Sequence, residues 1–298
     1  MSLAAQEQLL LALLFDAECR AAFVRDAAAL CRARGLEAAE AADFAVLRPA
    51  ALAEDARQRA AFILAQYCRS FPLTFALVSS LPDGLALLRA GIDAVLMRTP
   101  PRARLAHFGR GVCARVQAAD GFASARERAL VLSIVEAELG MAWTAQAAVA
   151  APPPVALPAD WLQRPLRFAE GVSAAILPRP YAELKAALCP VTGAALWRQL
   201  QRAPLAAAAR RALLAQTDLR LLVARAVLRE PLACEPVVEH VTVELGEGFA
   251  RLLPHVDGQH SISSLLAALR EAGAADALVA GVSSGFRQLW QQGMLASG

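Results

Sequence analysis

The sequence predicts a mostly α-helical fold, with a helical N-terminal and middle region followed by a winged-helix (α+β) module at the C-terminus. Two observations carry this prediction. Apolar residues recur three and four positions apart through most of the chain, which is the spacing of one helix face. In residues 237–245, apolar and polar residues instead alternate, with Val237, Val241, Val243 and Leu245 on one face. Strict alternation is typical of a half-buried strand.

Four short helices are predicted in the first 65 residues. Asp16 and Asp26 can each cap a helix, because their carboxylates accept hydrogen bonds from the free N–H groups of a first turn. Gly35 can stop the third helix and Pro49 the fourth. Such short helices are stabilised by packing on one another more than by propensity, which indicates a small helical domain.

A second helical region follows. One helix is predicted over about 125–148, and the consecutive prolines 152–154 end it. A connecting helix is predicted over 190–218, with Arg210 and Arg211 on its surface. The predicted domains are residues 1–65, 66–217 and 218–298.

The C-terminal domain is predicted to run strand, strand, helix, helix, helix. Leu221–Arg225 is a short apolar strand that precedes the alternating one. The stripe Phe249–Val256 predicts a helix that Pro254 distorts near its end, and Asp257-Gly258 predicts a turn. The remaining helix boundaries are predicted from Ser261 as an N-cap and from Gly273 and Gly293 as stops.

Composition argues against several classes of function. The chain has 298 residues, is 57% hydrophobic and carries a formal net charge of +3, which is too weak to indicate a nucleic-acid or anionic-membrane partner. The last predicted helix offers one arginine, Arg287, among glutamines. The N-terminus lacks the basic segment of a signal peptide, and no apolar run is long enough to span a membrane. We therefore expect a cytoplasmic protein.

The helix Phe249–Val256, the Asp257-Gly258 turn, the helix Ser261–Leu269 and the segment Phe286–Leu295 together resemble the PqqD-like peptide-recognition element. This element occurs in pathways that make ribosomally synthesised, modified peptides (RiPPs). The resemblance implies that a leader peptide adds as an extra strand to a sheet edge and packs against the third helix. The edge would lie near Val237–Leu245 or Leu221–Arg225. The predicted peptide-binding residues are Leu222, Val223, Val237, Val241, Val243, Phe286 and Trp290.

The middle region contains the pattern Tyr-x-x-x-Phe-Pro, then Pro-Pro-x-x-x-Leu-x-x-Phe-Gly, then an acidic helix and a proline-rich loop. The residues that carry it are Tyr67, Phe71, Pro72, Pro100, Pro101, Leu105, Phe108, Gly109, Glu136 and Glu138. The pattern resembles the helical domain of partner proteins that accompany multinuclear non-heme iron-dependent oxidative enzymes.

Together the two resemblances imply a non-catalytic partner protein of RiPP biosynthesis. It would bind a ribosomally made precursor peptide through its leader and dock onto an iron-dependent TIM-barrel oxidase, which would modify the peptide. The resemblance implies no catalytic residue, cofactor or metal in this chain, and iron in the partner enzyme. The implied partners include neither nucleic acid nor a membrane.

Three alternatives remain open. A winged helix can also serve a transcriptional regulator. An enzyme could use His255, Asp257 and His260, with His240 nearby, because two imidazoles and a carboxylate can hold non-heme iron. The turn at Asp257 favours a simpler interpretation, in which both histidines are its exposed flanks. The third alternative is a scaffold with no peptide affinity.

The other charged residues are assigned to the surface. Glu136 and Glu138 are two positions apart on a helix and so cannot share a site; we expect a solvated face or a partner contact. The run Arg126-Glu127-Arg128 is likewise predicted to be surface charge. The four tryptophans are expected in cores, with one or two as interface anchors.

Overall fold

The structure is a computed structural model that describes residues 3–150, 156–215, 217–229 and 237–298. It is mostly helical, with small sheets that include the C-terminal strands, so the predicted mostly α fold is confirmed. The winged-helix arrangement stays a prediction.

The helices are α1 (Leu3–Phe15), α2 (Ala17–Arg25), α3 (Ala27–Ala33), α4 (Ala38–Ala45), α5 (Pro49–Ser70), α6 (Pro72–Ser79), α7 (Gly84–Arg89), α8 (Ala94–Arg98), α9 (Pro101–Ala118), α10 (Ala125–Thr144), α11 (Tyr181–Leu188), α12 (Gly193–Arg202), α13 (Ala207–Ala215), α14 (Glu247–Ala250), α15 (Ile262–Glu271) and α16 (Asp276–Gln291). The strands are β1 (Val149–Ala150), β2 (Pro165–Phe168), β3 (Val172–Leu177), β4 (Arg220–Arg229), β5 (Val237–Leu245), β6 (Asp257–Ser261) and β7 (Leu295–Ser297).

The chain divides into two compact units. The first comprises residues up to 120 together with 191–205, and the second comprises 121–190 together with 206–298. These limits do not coincide with the predicted boundaries after residues 65 and 217. The first predicted boundary falls inside α5, on which α1 and α2 pack, and α10 packs on β3 and β4.

The N-terminal helices of the first unit begin where the sequence predicts. The Asp16 carboxylate accepts hydrogen bonds from the N–H groups of Glu18 and Cys19, at 2.8 and 3.1 Å. Asp26 does the same for the N–H of Ala29, at 2.8 Å. Gly35, with a φ of +75°, follows α3. Pro49 stands at the first position of α5, where its missing N–H costs nothing because that group has no partner inside a helix.

Aromatic side chains form the centre of the first unit. Phe108 on α9 is buried, and its ring centroid lies 5.0 Å from Tyr67, 5.9 Å from Phe71 and 6.0 Å from Phe75. A Cβ on Gly91 would come within 2.7 Å of the Phe108 ring, so glycine is required there. The aromatic residues of the middle pattern therefore act together as a core.

The described residues contain no single helix that is long and apolar enough to cross a membrane. The pair α5 and α6 reaches that length and apolarity only when taken together, across a bend of 115°. All eight residues of α6 are buried in the first unit.

The second unit is organised by a sheet with β4 at its centre. β5 pairs with β4 along its whole length, from Leu221↔Leu245 to Arg229↔Val237, and β3 and β1 pair with β4 on the other side. The prediction of a strand at Leu221–Arg225 is correct, but its prediction as an exposed edge is wrong. Hydrogen bonds to both neighbours occupy this segment, and both faces are buried.

A second sheet has the order β6-β2-β7, and it adjoins α15 and α16. The prediction of Asp257-Gly258 as a turn is wrong, because the two residues begin β6 and pair with β2. The local chemistry behind the prediction is present, since Gly258 adopts a φ of +84° and the Asp257 carboxylate accepts a hydrogen bond from the Gln259 N–H at 2.8 Å. The predicted helix Phe249–Val256 is realised as α14 and a 3₁₀ turn, Leu253–His255. Ser261 caps α15 by accepting a hydrogen bond from the N–H of Ser264, at 3.2 Å.

Helices cover both faces of the β4 sheet. Leu221, Val223 and Val243 pack with α14, α15 and α16 in one apolar core. On the opposite face, α10 contacts β3 and β4, and His240 Nε2 lies 2.9 Å from the Met141 carbonyl oxygen of α10. Each face of the sheet is therefore shielded by helices of the same unit.

A buried ion pair joins α10 to α13. Arg210 is fully buried, and its Nε donates to Glu127 Oε1 at 2.9 Å, while its Nη2 donates to the Gly121 carbonyl at 2.7 Å. Burial would raise the pKa of the Glu127 carboxyl, but the Ala123 N–H and the Arg210 guanidinium hold it below its ordinary value. The predictions of Arg210 and Glu127 as surface charges are wrong, because each provides the other's counter-charge.

Glu138 is also buried rather than on a solvated face. Its carboxylate accepts a hydrogen bond from the Tyr181 hydroxyl, at 3.0 Å, and its exposed fraction is 0%. Glu136, two positions earlier, is exposed, so the two carboxylates do point apart as predicted. The surface prediction for Glu138 is wrong, because α11 covers this part of α10.

Arg210→Met should lower the free energy of unfolding by about 3–5 kcal/mol, because it leaves the Glu127 carboxylate buried without its cation. Adding Glu127→Gln should recover part of the loss, since a neutral amide still accepts from the Ala123 N–H. Urea denaturation measures both changes. Arg211→Met, at the exposed neighbouring position, is the control and should change little. Equal effects at both arginines would contradict the structural role of the pair.

Candidate functional site

The outer side of β5 is a free strand edge. Among the described residues, the backbone of Val237–Leu245 pairs with β4 alone. Because N–H and C=O groups of an antiparallel strand point alternately to its two sides, about half of the nine residues present theirs outward. An edge of this length could accept an extended segment as an additional strand.

Charged side chains border the edge without covering its backbone. Glu239 forms an exposed ion pair with Arg229 of β4, whose hydrogen bond holds the pKa of the Glu239 carboxyl below its ordinary value. Glu244 turns to the other face of the sheet and accepts hydrogen bonds from the N–H groups of Tyr181 and Ala182, at 3.1 and 3.3 Å. That carboxylate caps α11 and ties β5 to it.

A groove of about 620 Å³ lies between the end of β5 and the helices α15 and α16. Small residues line much of it, and larger apolar side chains complete its walls. The small residues are Gly246, Gly248, Ala272, Gly273, Ala274, Ala277 and Gly281, the larger apolar ones are Leu245, Phe249, Leu269, Leu278 and Val282, and the charged ones are the ion-paired Glu247 and Arg251.

The groove adjoins the C-terminal end of β5, since Leu245 belongs to both. A Cβ added to Gly285 of α16 would lie 3.0 Å from Leu245 Cδ2, so the helix and the strand are in close contact there. One turn earlier, a Cβ on Gly281 would meet nothing within 4 Å, which leaves open space above the groove. A segment paired with β5 could therefore extend an apolar side chain toward α16.

Most of the predicted peptide-binding side chains are not exposed at this surface. Leu222, Val223, Val243, Phe286 and Trp290 are buried in the second unit, so their side chains pack on the protein itself. Val241 is half-buried among them, and the side chain of Val237 lies outside the described residues. The exposed apolar positions at the site are Val238 on β5 and Leu278 on α16.

Sequence reasoning missed the groove residues Ala277 and Gly281. A signal for them existed, because Gly281 and Gly285 stand four positions apart inside a helix, where each glycine costs about 1 kcal/mol relative to alanine. Two such glycines on one face of a helix indicate that a larger side chain is excluded there, either because a neighbour packs closely or because a space is kept open. The structure assigns close packing to Gly285 and open space to Gly281.

The histidine cluster proposed as an alternative is only partly assembled. The rings of His255 and His260 meet edge to face at 5.4 Å, and His260 Nδ1 lies 3.1 Å from Asp257 Oδ1. The Gln259 N–H and His260 lower the pKa of the Asp257 carboxyl to about 2. His240 of β5 is not part of this cluster, because its ring contacts the Met141 carbonyl oxygen of α10. Within the described ranges, no group of three or more His, Cys, Asp or Glu side chains is arranged to hold a metal ion.

A second polar cluster surrounds the Glu138 carboxylate, and the Tyr181 hydroxyl and the Cys189 thiol in it both have raised pKa values. Burial and the Glu138 carboxylate raise the pKa of Tyr181 far above its ordinary value. The same causes raise the pKa of the Cys189 thiol to about 12, so the thiolate that would act as a nucleophile is not populated near neutral pH. The cluster fastens α11 to α10.

Comparison with known proteins identifies no relative. No protein-family model matches the chain, and neither a curated protein nor a solved structure matches it.

Gly281 and Gly285 should respond in opposite ways to substitution. Gly281→Ala should leave stability unchanged or raise it by up to about 1 kcal/mol, because the new Cβ enters open space in a helix. Gly285→Ala should lower stability by about 1–3 kcal/mol, because its Cβ would press on Leu245 and Phe249. Thermal and urea unfolding measure both variants. A destabilising Gly281→Ala would contradict the open groove.

Proposed function

We propose that this protein is a non-catalytic partner in RiPP biosynthesis that binds the leader of a precursor peptide by strand addition to β5. It then docks onto an iron-dependent TIM-barrel oxidase in the cytoplasm and presents the peptide for modification. The observation that carries the peptide-binding part is the outer edge of Val237–Leu245, which no other described residue pairs with, next to a groove with mostly small and apolar walls. The enzyme partner is proposed from the resemblance of the middle region.

The edge and the groove make different contributions to such a complex. Backbone hydrogen bonds along β5 give affinity for any extended segment, each with a net value of about 0.5–1.5 kcal/mol. One large apolar side chain buried in the groove adds about 1.5–3 kcal/mol and selects the sequence. Ordering the free peptide opposes both terms. We expect a dissociation constant of about 1–10 µM, which isothermal titration can measure.

Presentation alone can account for a large effect on a reaction. Holding the reacting residue of the peptide near the metals of another enzyme converts an encounter in solution into a step within one complex. The chain then needs no cofactor, and the iron belongs to the enzyme.

The regulator alternative is less well supported by the charges of the C-terminal helices. Arg287 is the one cation of α16, and its guanidinium lies over the Trp161 ring at 5.7 Å. A helix that reads DNA needs several cations directed at phosphates.

Proline substitution at two adjacent positions of β5 should separate peptide binding from folding. Because successive N–H groups alternate in direction, one of Val241→Pro and Thr242→Pro removes an N–H directed at β4, and the other removes an outward one. The variant that keeps its thermal stability and helix content should lose at least about tenfold in leader-peptide affinity. Unchanged affinity in that folded variant would rule out strand addition.

Co-expression with the neighbouring open reading frames tests the function as a whole. A tagged chain should co-purify with an iron-containing enzyme and a short precursor peptide. The folded proline variant is the matched control and should retain the enzyme but lose the precursor. Recovery of neither partner, together with a mobility shift on the promoter region of its own gene, would replace the proposal by the regulator.

A further inference from the structure

The first unit carries a second groove, which neither the peptide site nor the aromatic core explains. It lies between the C-terminal half of α5 and the start of α9 and has a volume of about 430 Å³. This is within the size range of pockets that bind ligands or side chains. The lining residues are Phe62, Ile63, Gln66, Tyr67, Arg69, Ser70, Met97, Pro101, Arg104 and Leu105.

The walls of this groove are held in place by the fold. Tyr67 packs edge to face on the buried Phe108. Arg104 donates hydrogen bonds to the carbonyl oxygens of Thr99 and Met97, at 2.9 and 2.7 Å. These contacts fix the base and one side, so the groove exists before any partner arrives.

Phe62 at the rim is an exposed aromatic residue. Its exposed fraction is 66%, although aromatic side chains of this size contribute most to stability when buried. Isolated exposed apolar residues are ordinary, but this one borders a concave apolar surface. Aromatic residues beside such surfaces are typical contact points in protein interfaces.

The charged side chains that line the groove are positive, and arginine predominates in the segments that form it. The ranges 56–82, 94–119 and 191–205, all in the first unit, contain no aspartate or glutamate. They contain ten arginines: Arg57, Arg59, Arg69, Arg98, Arg102, Arg104, Arg110, Arg115, Arg198 and Arg202. Among the described residues, two of the ten form ion pairs, Arg57 with Glu54 and Arg59 with Asp55. Arg69 and Arg104 line the groove itself.

We propose that this groove, formed by α5 and α9, binds an acidic segment of a protein partner. An apolar side chain of the segment packs against Phe62, and its carboxylates meet Arg69 and the free side of Arg104. Arginine suits this role, because its planar guanidinium can bind a carboxylate through two hydrogen bonds. The proposal rests on the proposed function in one respect, which is that the segment belongs to the oxidase.

Two designed peptides test the binding chemistry directly. Both are fluorescently labelled 16-residue helices with the same leucine and phenylalanine stripe, and the polar positions are all glutamate in one and all lysine in the other. The full chain should bind the acidic peptide by fluorescence anisotropy and should not bind the basic one. Raising the salt concentration from 50 to 500 mM should weaken the acidic complex about tenfold, because exposed charges are screened.

Substitutions locate the binding in the groove. Phe62→Ala and Arg69→Glu should each weaken the acidic complex about fivefold or more. The controls are Val24→Ala and Arg25→Glu, which lie at exposed positions on α2 in the same unit, outside the groove. Both controls should bind as the unaltered chain does. Circular dichroism verifies that all four variants are folded.

Four results would overturn the proposal. The first is equal binding of the two peptides, and the second is no loss of affinity in folded Phe62→Ala. The third is competition by a DNA duplex with the same dependence on Phe62 and Arg69, which would assign the groove to nucleic acid. The fourth is a dimer of this chain, detected by light scattering, that Phe62→Asp dissociates, which would assign it to a second copy.

The co-expression experiment separates this proposal from the proposed function. Phe62→Asp and Arg69→Glu should lose the enzyme and keep the precursor peptide, which is the reverse of the β5 proline variant. If the unaltered chain recovers no enzyme, the proposed function fails. The peptide titrations then still show whether the groove binds an acidic segment. If both groove variants recover the enzyme fully, the assignment of the segment to the oxidase is wrong.

Discussion

The pairing of β4 on both of its sides is the constraint on which the second unit depends. Buried N–H and C=O groups need partners, and β4 is buried on both faces along most of its length. β5 satisfies one side, and β3 with β1 satisfies the other. Helices then cover the faces, α10 on one and α14–α16 on the other. A sheet built in this way still ends in edge strands, and β5 is one of them, since no other described strand pairs with its outer side.

In the proposed complex, the helix beside the edge would supply selectivity. A bare strand edge would pair with any extended chain, which is a hazard for aggregation as much as a means of recognition. Here Glu239 places charge next to the edge, and α16 brings small residues close to Leu245. The space left above Gly281 is where the proposed segment would place an apolar side chain. Backbone pairing and side-chain selection are thus supplied by adjacent elements of one unit.

The two candidate surfaces differ in their physical chemistry. The β5 edge offers backbone hydrogen bonds and apolar contact, which salt affects little. The groove of the first unit offers arginines around an exposed Phe62, and attraction of this kind depends strongly on salt. Because the two surfaces lie on different units and bind by different forces, a peptide and a protein could be held without competing for the same groups.

The sequence by itself determined the local features of this protein. Asp16, Asp26 and Ser261 cap the helices that follow them, and β5 alternates as predicted, because caps and periodicity depend on residues a few positions apart. Only the tertiary structure decided that Leu221–Arg225 is a central strand and that Arg210 is buried against Glu127, 83 positions away. Local composition does not indicate which distant strand will pair with a segment or which distant charge will neutralise a buried side chain. Tertiary packing also decided the edge at β5, the groove over Gly281 and the exposure of Phe62. Each of these features lies where one packed element stops covering its neighbour.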